Sequence, residues 1–511
     1  MQRALVLLIL LPLALPVLGQ TPAPADKPAA KADAPQLPPK APPEEKTAVT
    51  HHTATLDGKA IPYTATAGTL QLKDDDGTVK AVVFYIAYTR DGVKDPGERP
   101  VTFTFNGGPG AAALWTNLGA FGPRRVELDA QGMPLPPPGR LVDNEDSLLD
   151  VTDLVFIDPV STGYSRPAPG EDRKQFHGYR NDVESVGAFI RLWLERNARW
   201  ASPKFIAGES YGTIRAAGLA DHLQSRYGLD LNGVVLVSAT LNDQNSSFDV
   251  GNDFAYLAYL PSYTAIAWYH KKLPPDLQGD LHKALAEAED FALHDYALAL
   301  FAGDRLPAER RREIAARLAR LTGLSVDYVE RANLRVEHVH FCKELLRDRA
   351  LTVGRIDGRF TGRDLDAVGE VFDYDPSLTG LDAPFVAMMS DYVRRDLGFE
   401  TDLIYERLSR FVRPWTSPET ELRYLNAAEP LRRAMMKNPH LQVLIASGYY
   451  DLATPYFDGL YTAWHLGLPP GDRGRVRNVF YEAGHMMYIR PPDHRKLHQD
   501  VAGFIRGAVG R

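Results

Sequence analysis

Cysteine is almost absent from this 511-residue chain, where Cys342 stands alone. No disulfide can therefore form within it, which excludes a stapled extracellular framework. A secreted eukaryotic protein of this length ordinarily carries several such bridges. A basic excess is missing too. Lys and Arg number 58 against 65 Asp and Glu, for a net charge of -7 and a pI near 6.1. That balance offers no electrostatic footing for nucleic acid. The run Arg310-Arg311-Arg312 lies among Ala, Leu and Glu and reads as a solvated helix face. Metal ligands at useful spacing are also lacking. His338 and His340 have no carboxylate or third ligand in register, so no metal and no cofactor is expected.

Long apolar runs are confined to the N-terminus. Met1-Gln2-Arg3 carries a positive charge, and Ala4 to Leu18 is mostly Leu, Ala, Val and Ile, broken by Pro12 and Pro16. The run is short for a membrane span. It reads as a signal peptide over residues 1–19, with an uncleaved anchor as the alternative. No stable membrane span is expected after cleavage. Export without disulfides points to a bacterial periplasm or the cell exterior.

The remaining chain has the makings of a large core, with 44% hydrophobic and 24% charged residues. Residues 20–48 are rich in Pro, Ala, Lys and Asp and predict a disordered linker. Strand texture follows, in Thr53–Leu56, Ile61–Thr66, Thr69–Leu72 and Ala81–Tyr88, and then Val101–Phe105, Asp153–Asp158, Lys204–Ala207 and Gly233–Ser238. Amphipathic helices are predicted over Asn181–Asn197 and Thr213–Arg226. Between 246 and 425 the pattern turns helical, notably at Leu281–Phe301 and Ala308–Leu321. Strands resume at Leu441–Gly448 and Val476–Tyr481. Strands alternating with helices predict an α/β protein with a mostly parallel central sheet covered on both faces. The predicted layout is a catalytic domain over 49–245 and 426–511, interrupted by a helical cap at 246–425.

Chemistry concentrates at Gly208-Glu209-Ser210-Tyr211-Gly212. A strand precedes this pentapeptide and a helix follows it, which is the context a nucleophile elbow requires. Two glycines permit the tight turn, and the helix N-terminus favours developing negative charge. An ordinary serine in a structural turn is the bland alternative. A nucleophilic serine needs a base, and the base needs an orienting carboxylate. In an α/β-hydrolase fold these follow in the order Ser, Asp, His. Asp451 and His485 each fall just beyond the C-terminal end of a predicted strand, where sites in such sheets form. The candidate triad is therefore Ser210, Asp451 and His485.

These residues and their surroundings resemble the serine carboxypeptidases, peptidase family S10. The resemblance rests on Asn106-Gly107-Gly108-Pro109-Gly110, Gly119-Ala120-Phe121-Gly122-Pro123, the segment Phe156 to Ser165, Gly208 to Gly212, Asp451, and Gly484-His485-Met486. It implies removal of the C-terminal residue of peptides through an acyl-enzyme. It further implies an oxyanion hole from the backbone N–H groups of Gly108 and Tyr211. A site for the substrate carboxylate at Asn106, Gly107 N–H and a protonated Glu209 is implied as well. Its expected partners are peptides with a free C-terminus. The chain departs from the family pattern at Thr104, where Trp is usual, and at Ala111-Ala112-Ala113, where Cys-Ser-Ser is usual. Ala120 replaces a common Glu, which would deprive Glu209 of a like-charged neighbour. Leu452-Ala453-Thr454-Pro455 also differs from the common form. An esterase or acyltransferase on the same scaffold is the competing enzymatic reading, and a catalytically silent binding protein the non-enzymatic one.

Overall fold

Alternating apolar strands and amphipathic helices assemble here around one sheet. The structure, a computed structural model, describes residues 41, 43–415 and 423–510. The expected signal peptide and most of the expected linker lie outside the described residues. The first strand begins at Thr47, inside the stretch predicted as linker.

The main strands of the central sheet are β1 (Thr47–Leu56), β2 (Lys59–Lys73), β3 (Val79–Arg90), β4 (Val101–Phe105), β5 (Asp153–Ile157), β6 (Lys204–Glu209), β7 (Gly233–Val237), β8 (Gln442–Gly448) and β9 (Val476–Tyr481). Their spatial order is β1-β2-β3-β5-β4-β6-β7-β8-β9. The first three pair antiparallel, and β3 meets β5 antiparallel. From β5 to β9 every pairing is parallel. The strand predicted in separate pieces from 61 to 72 is one continuous β2, because its register against β3 runs through without a turn until Leu72.

The parallel strands are buried on both faces, and their side chains alternate accordingly. Ile206, Val234, Leu236, Val443 and Ile445 face one apolar layer, with α1 (Tyr179–Arg196) and α2 (Tyr211–Tyr227). Phe205, Ala207, Val235, Leu444 and Ala446 face the other, with Leu497, Val501 and Ile505 of the C-terminal helix Pro491–Ala508. A third cluster joins Tyr263, Leu285, Phe291 and Leu318 to Tyr450, Leu452 and Phe457. It unites the helices Phe254–Tyr269, Leu281–Phe291 and Ala308–Thr322 with the segment after β8. This is an α/β-hydrolase fold.

Strand order fixes where chemistry can occur. From β4 the chain moves to β5 on one side, then returns to β6 on the other. The two connections diverge beyond the carboxyl end of β4, which opens a crevice there. The loop Asn106–Gly110 leaves β4 at that crevice, and the elbow leaves β6 beside it.

Candidate active site

The elbow's geometry follows from its glycines. Ser210 adopts φ 61° and ψ -132°, a conformation costly for a residue with a Cβ. Its N–H donates to the Val237 carbonyl at 3.0 Å, and its own carbonyl accepts from Thr213 N–H at 2.8 Å. A Cβ at position 208 would lie 2.1 Å from the Gly212 carbonyl oxygen. At position 107 it would lie 2.4 Å from the Tyr211 nitrogen. Glycine at 208 is thus a condition for the tight elbow, and glycine at 107 for bringing the β4 loop against it. Among the described residues, the N–H groups of Gly108 and Tyr211 donate to no protein acceptor. Two free backbone donors therefore flank Ser210.

Asp451 and His485 meet as the strand ends predict. His485 Nδ1 lies 2.7 Å from Asp451 Oδ2, and both residues are buried. The carboxylate is further saturated. Its Oδ1 accepts the N–H groups of Ala453 at 2.7 Å and Thr454 at 3.0 Å, and Oδ2 accepts the Thr454 hydroxyl at 2.8 Å. Burial pulls the His485 pKa down, but the Asp451 charge and hydrogen bond, with Glu209 nearby, outweigh it and leave it raised. Among the described residues no hydrogen bond joins Ser210 Oγ to His485. Such bonds commonly tighten only when substrate is bound.

Glu209 is buried and points into a polar cage. Oε1 accepts from Asn106 Nδ2 at 3.0 Å, and Oε2 accepts from the Tyr488 hydroxyl at 2.6 Å. Burial pushes its pKa up to about 7, while the His485 charge and these two hydrogen bonds restrain it. Asn106 is itself fixed, since its Oδ1 accepts from Thr116 N–H and Oγ1, both at 3.1 Å. Behind it a buried pair, Arg215 with Asp182 at 2.8 Å, donates to the Asn106 carbonyl at 2.8 Å. The expected carboxylate-binding trio Asn106, Gly107 and Glu209 is therefore contiguous.

Tyr488 carries no local sequence signal and is missed by motif reading. Its ring lies so close to Gly119 that a Cβ there would meet it at 2.5 Å. It thus stands beside the segment that holds Ala120, and its hydroxyl donates to Glu209. Asp158, from the segment Phe156–Ser165, braces the glycine loop by accepting Ala113 N–H at 2.8 Å. Burial pushes its carboxyl up to about 7. His338 stacks on Phe248 and Tyr259, at 5.3 and 5.4 Å between ring centroids, and so has a packing role. Cys342 is buried in the short helix His338–Glu344, as a small apolar residue would be.

A family model described as serine carboxypeptidase matches residues 58–295. The resemblance to the serine carboxypeptidases holds. The matched stretch includes the glycine loop and the elbow; Asp451 and His485 lie beyond it and are brought in by the fold. Serine carboxypeptidase-like 13 of Arabidopsis thaliana is 23% identical over 205 residues, covering 39% of this chain and 45% of the relative. Serine carboxypeptidase-like 5 of the same plant is 25% identical, covering 35% and 40%. The chain thus spans less than half the length of these serine carboxypeptidase relatives. The crystal structure of Kex1(delta)p, a prohormone-processing carboxypeptidase from Saccharomyces cerevisiae, aligns with 88% of this chain and 91% of its own. Its TM-score is 0.54 at 16% identity, which speaks for the shared fold.

Proposed function

We propose that the chain is a serine carboxypeptidase that releases the last residue of peptides with a free C-terminus. The observation that carries the reading is Glu209, buried next to the elbow and held by Asn106 and Tyr488, where burial pushes its pKa up to about 7. A carboxyl that keeps its proton into the neutral range can donate to a substrate carboxylate; an ordinary ionised one would repel it.

In this reading Ser210 Oγ attacks the last peptide carbonyl as His485 Nε2 takes its proton. Asp451 holds the proton of Nδ1 and so fixes the tautomer. The tetrahedral oxyanion is received by the N–H groups of Gly108 and Tyr211, donors worth roughly 3 kcal/mol each. His485 then returns its proton to the leaving amine, and water repeats the sequence in reverse to free the acyl group. Metal and cofactor play no part in these steps. Among the described residues no helix is long and apolar enough to cross a membrane. We place the mature protein outside the cytoplasm, in a periplasm or beyond, on the strength of the N-terminal sequence.

The test is turnover of an N-blocked dipeptide as free acid, the same peptide amidated, and a simple ester. Release of the last residue from the acid, much reduced for the amide, is expected. Ester cleavage alone would assign the chain to the esterases or acyltransferases instead. Ser210→Ala is expected to abolish turnover while leaving the unfolding transition unchanged; residual activity would refute Ser210 as nucleophile.

A further inference from the structure

A strap of chain between the short strands Thr352–Val353 and Thr361–Gly362 ties the two catalytic loops together. The Arg355 carbonyl accepts Leu452 N–H at 3.0 Å, beside Asp451. The Ile356 carbonyl accepts His485 N–H at 2.7 Å. Asp357 Oδ2 accepts Gly484 N–H at 3.1 Å, and Gly358 N–H donates to the Tyr450 carbonyl at 2.9 Å. Arg355 therefore stands where the strap crosses from one loop to the other.

Its side chain behaves unlike that of its neighbour Arg359. Arg359 is buried and forked onto Asp357 at 2.6 Å. Arg355 is half-buried, and among the described residues its guanidinium has no hydrogen bond and no ion pair. Its partners are all on the backbone, where the N–H donates to Asp375 Oδ1 at 3.2 Å and the carbonyl accepts from Leu452. The carboxylates nearby are already occupied. Asp451 is held by His485, Ala453 and Thr454, and Asp375 by the N–H groups of Arg355, Ile356 and Ser377. Its carbonyl holds Leu452 and that of the next residue holds His485, so Arg355 stands beside the loops that carry Asp451 and His485. A guanidinium is built for bidentate capture of a carboxylate, and among the described residues none is offered to this one.

We propose that Arg355 is a substrate-binding group that takes a carboxylate of the peptide, either its free terminus or an acidic side chain next to the bond cut. The proposal rests on the peptidase reading of the site. It is tested by binding, so that its failure is separable from a failure of turnover. In full-length Ser210→Ala protein, calorimetry would compare three probes with and without Arg355→Gln. They are an N-blocked Phe-Leu acid, its amide, and an amidated N-blocked Glu-Leu. Loss of the guanidinium is expected to weaken at least one carboxylate-bearing probe about ten-fold or more, and the neutral amide less than about two-fold. Arg355→Lys should restore part of the loss. A loss on the first probe alone assigns the terminus, and on the third alone a side chain. Equal losses on all three, no loss on any, or no binding of any probe by the parent would overturn the proposal.

Discussion

Replacing Glu209 by Gln should make the protein's stability less sensitive to pH, by an amount the structure sets. The carboxyl has an ordinary pKa of 4.5 and one of about 7 when folded. A raised folded pKa means that the native state holds the proton more tightly than the unfolded chain. Its stabilising contribution is complete below about 4.5 and is lost as pH rises through about 7. Between about pH 5 and about pH 8 the loss amounts to about 2.5 kcal/mol, since a tenfold difference in proton affinity between the two states is worth about 1.36 kcal/mol. Glutamine keeps the shape and still accepts one hydrogen bond, but it cannot ionise. His485 adds in the same sense, because its raised pKa owes part to the Glu209 charge. Urea unfolding of both proteins at the two pH values measures the difference directly. The gap in unfolding free energy, variant minus parent, should move toward the variant by about 2.5 kcal/mol as pH rises. Parallel pH dependences would refute the assignment of a buried, proton-retaining Glu209.

Two further substitutions probe the same neighbourhood. Tyr488→Phe deletes the hydroxyl that restrains the Glu209 pKa, so the alkaline limb of free-acid turnover should shift to higher pH. A pH profile of kcat/KM that shifts the other way would contradict the role given to Tyr488. Gly107→Ala would place a Cβ 2.4 Å from the Tyr211 backbone nitrogen, which is not free to retreat. A loss of roughly 1–3 kcal/mol of stability is expected, with slowed turnover as the oxyanion donors separate. An unaltered urea midpoint would show that the loops are looser than their contacts imply.

The elbow is legible in sequence because its determinants are local: a short apolar strand, two glycines and a helix start within a few residues. Asp451 and His485 are legible for a different reason. Parallel strands put their carboxyl ends on one edge, so residues just past β8 and β9 must approach the β6 turn. What escapes is whatever depends on contacts between distant segments with no repeating pattern. Tyr488 reaches Glu209 across 279 positions, and Asp357 reaches Gly484 across 127. Neither tyrosine nor aspartate in those stretches breaks a periodicity or completes a motif. Arg355 is invisible for the same reason, since its meaning lies in the partners it lacks.

The strap through Arg355, Ile356, Asp357 and Gly358 bears on how such a protein can be altered. Exchanging the helical region between β7 and β8 would be a natural route to new specificity. Here that region also carries the hydrogen bonds that join the segment after β8 to the one after β9. A graft that omits residues 355–359 would leave Asp451 and His485 on two unconnected loops. Transplants should therefore keep this short stretch with the recipient and begin beyond it, and random insertion libraries should show it as a gap among tolerated sites.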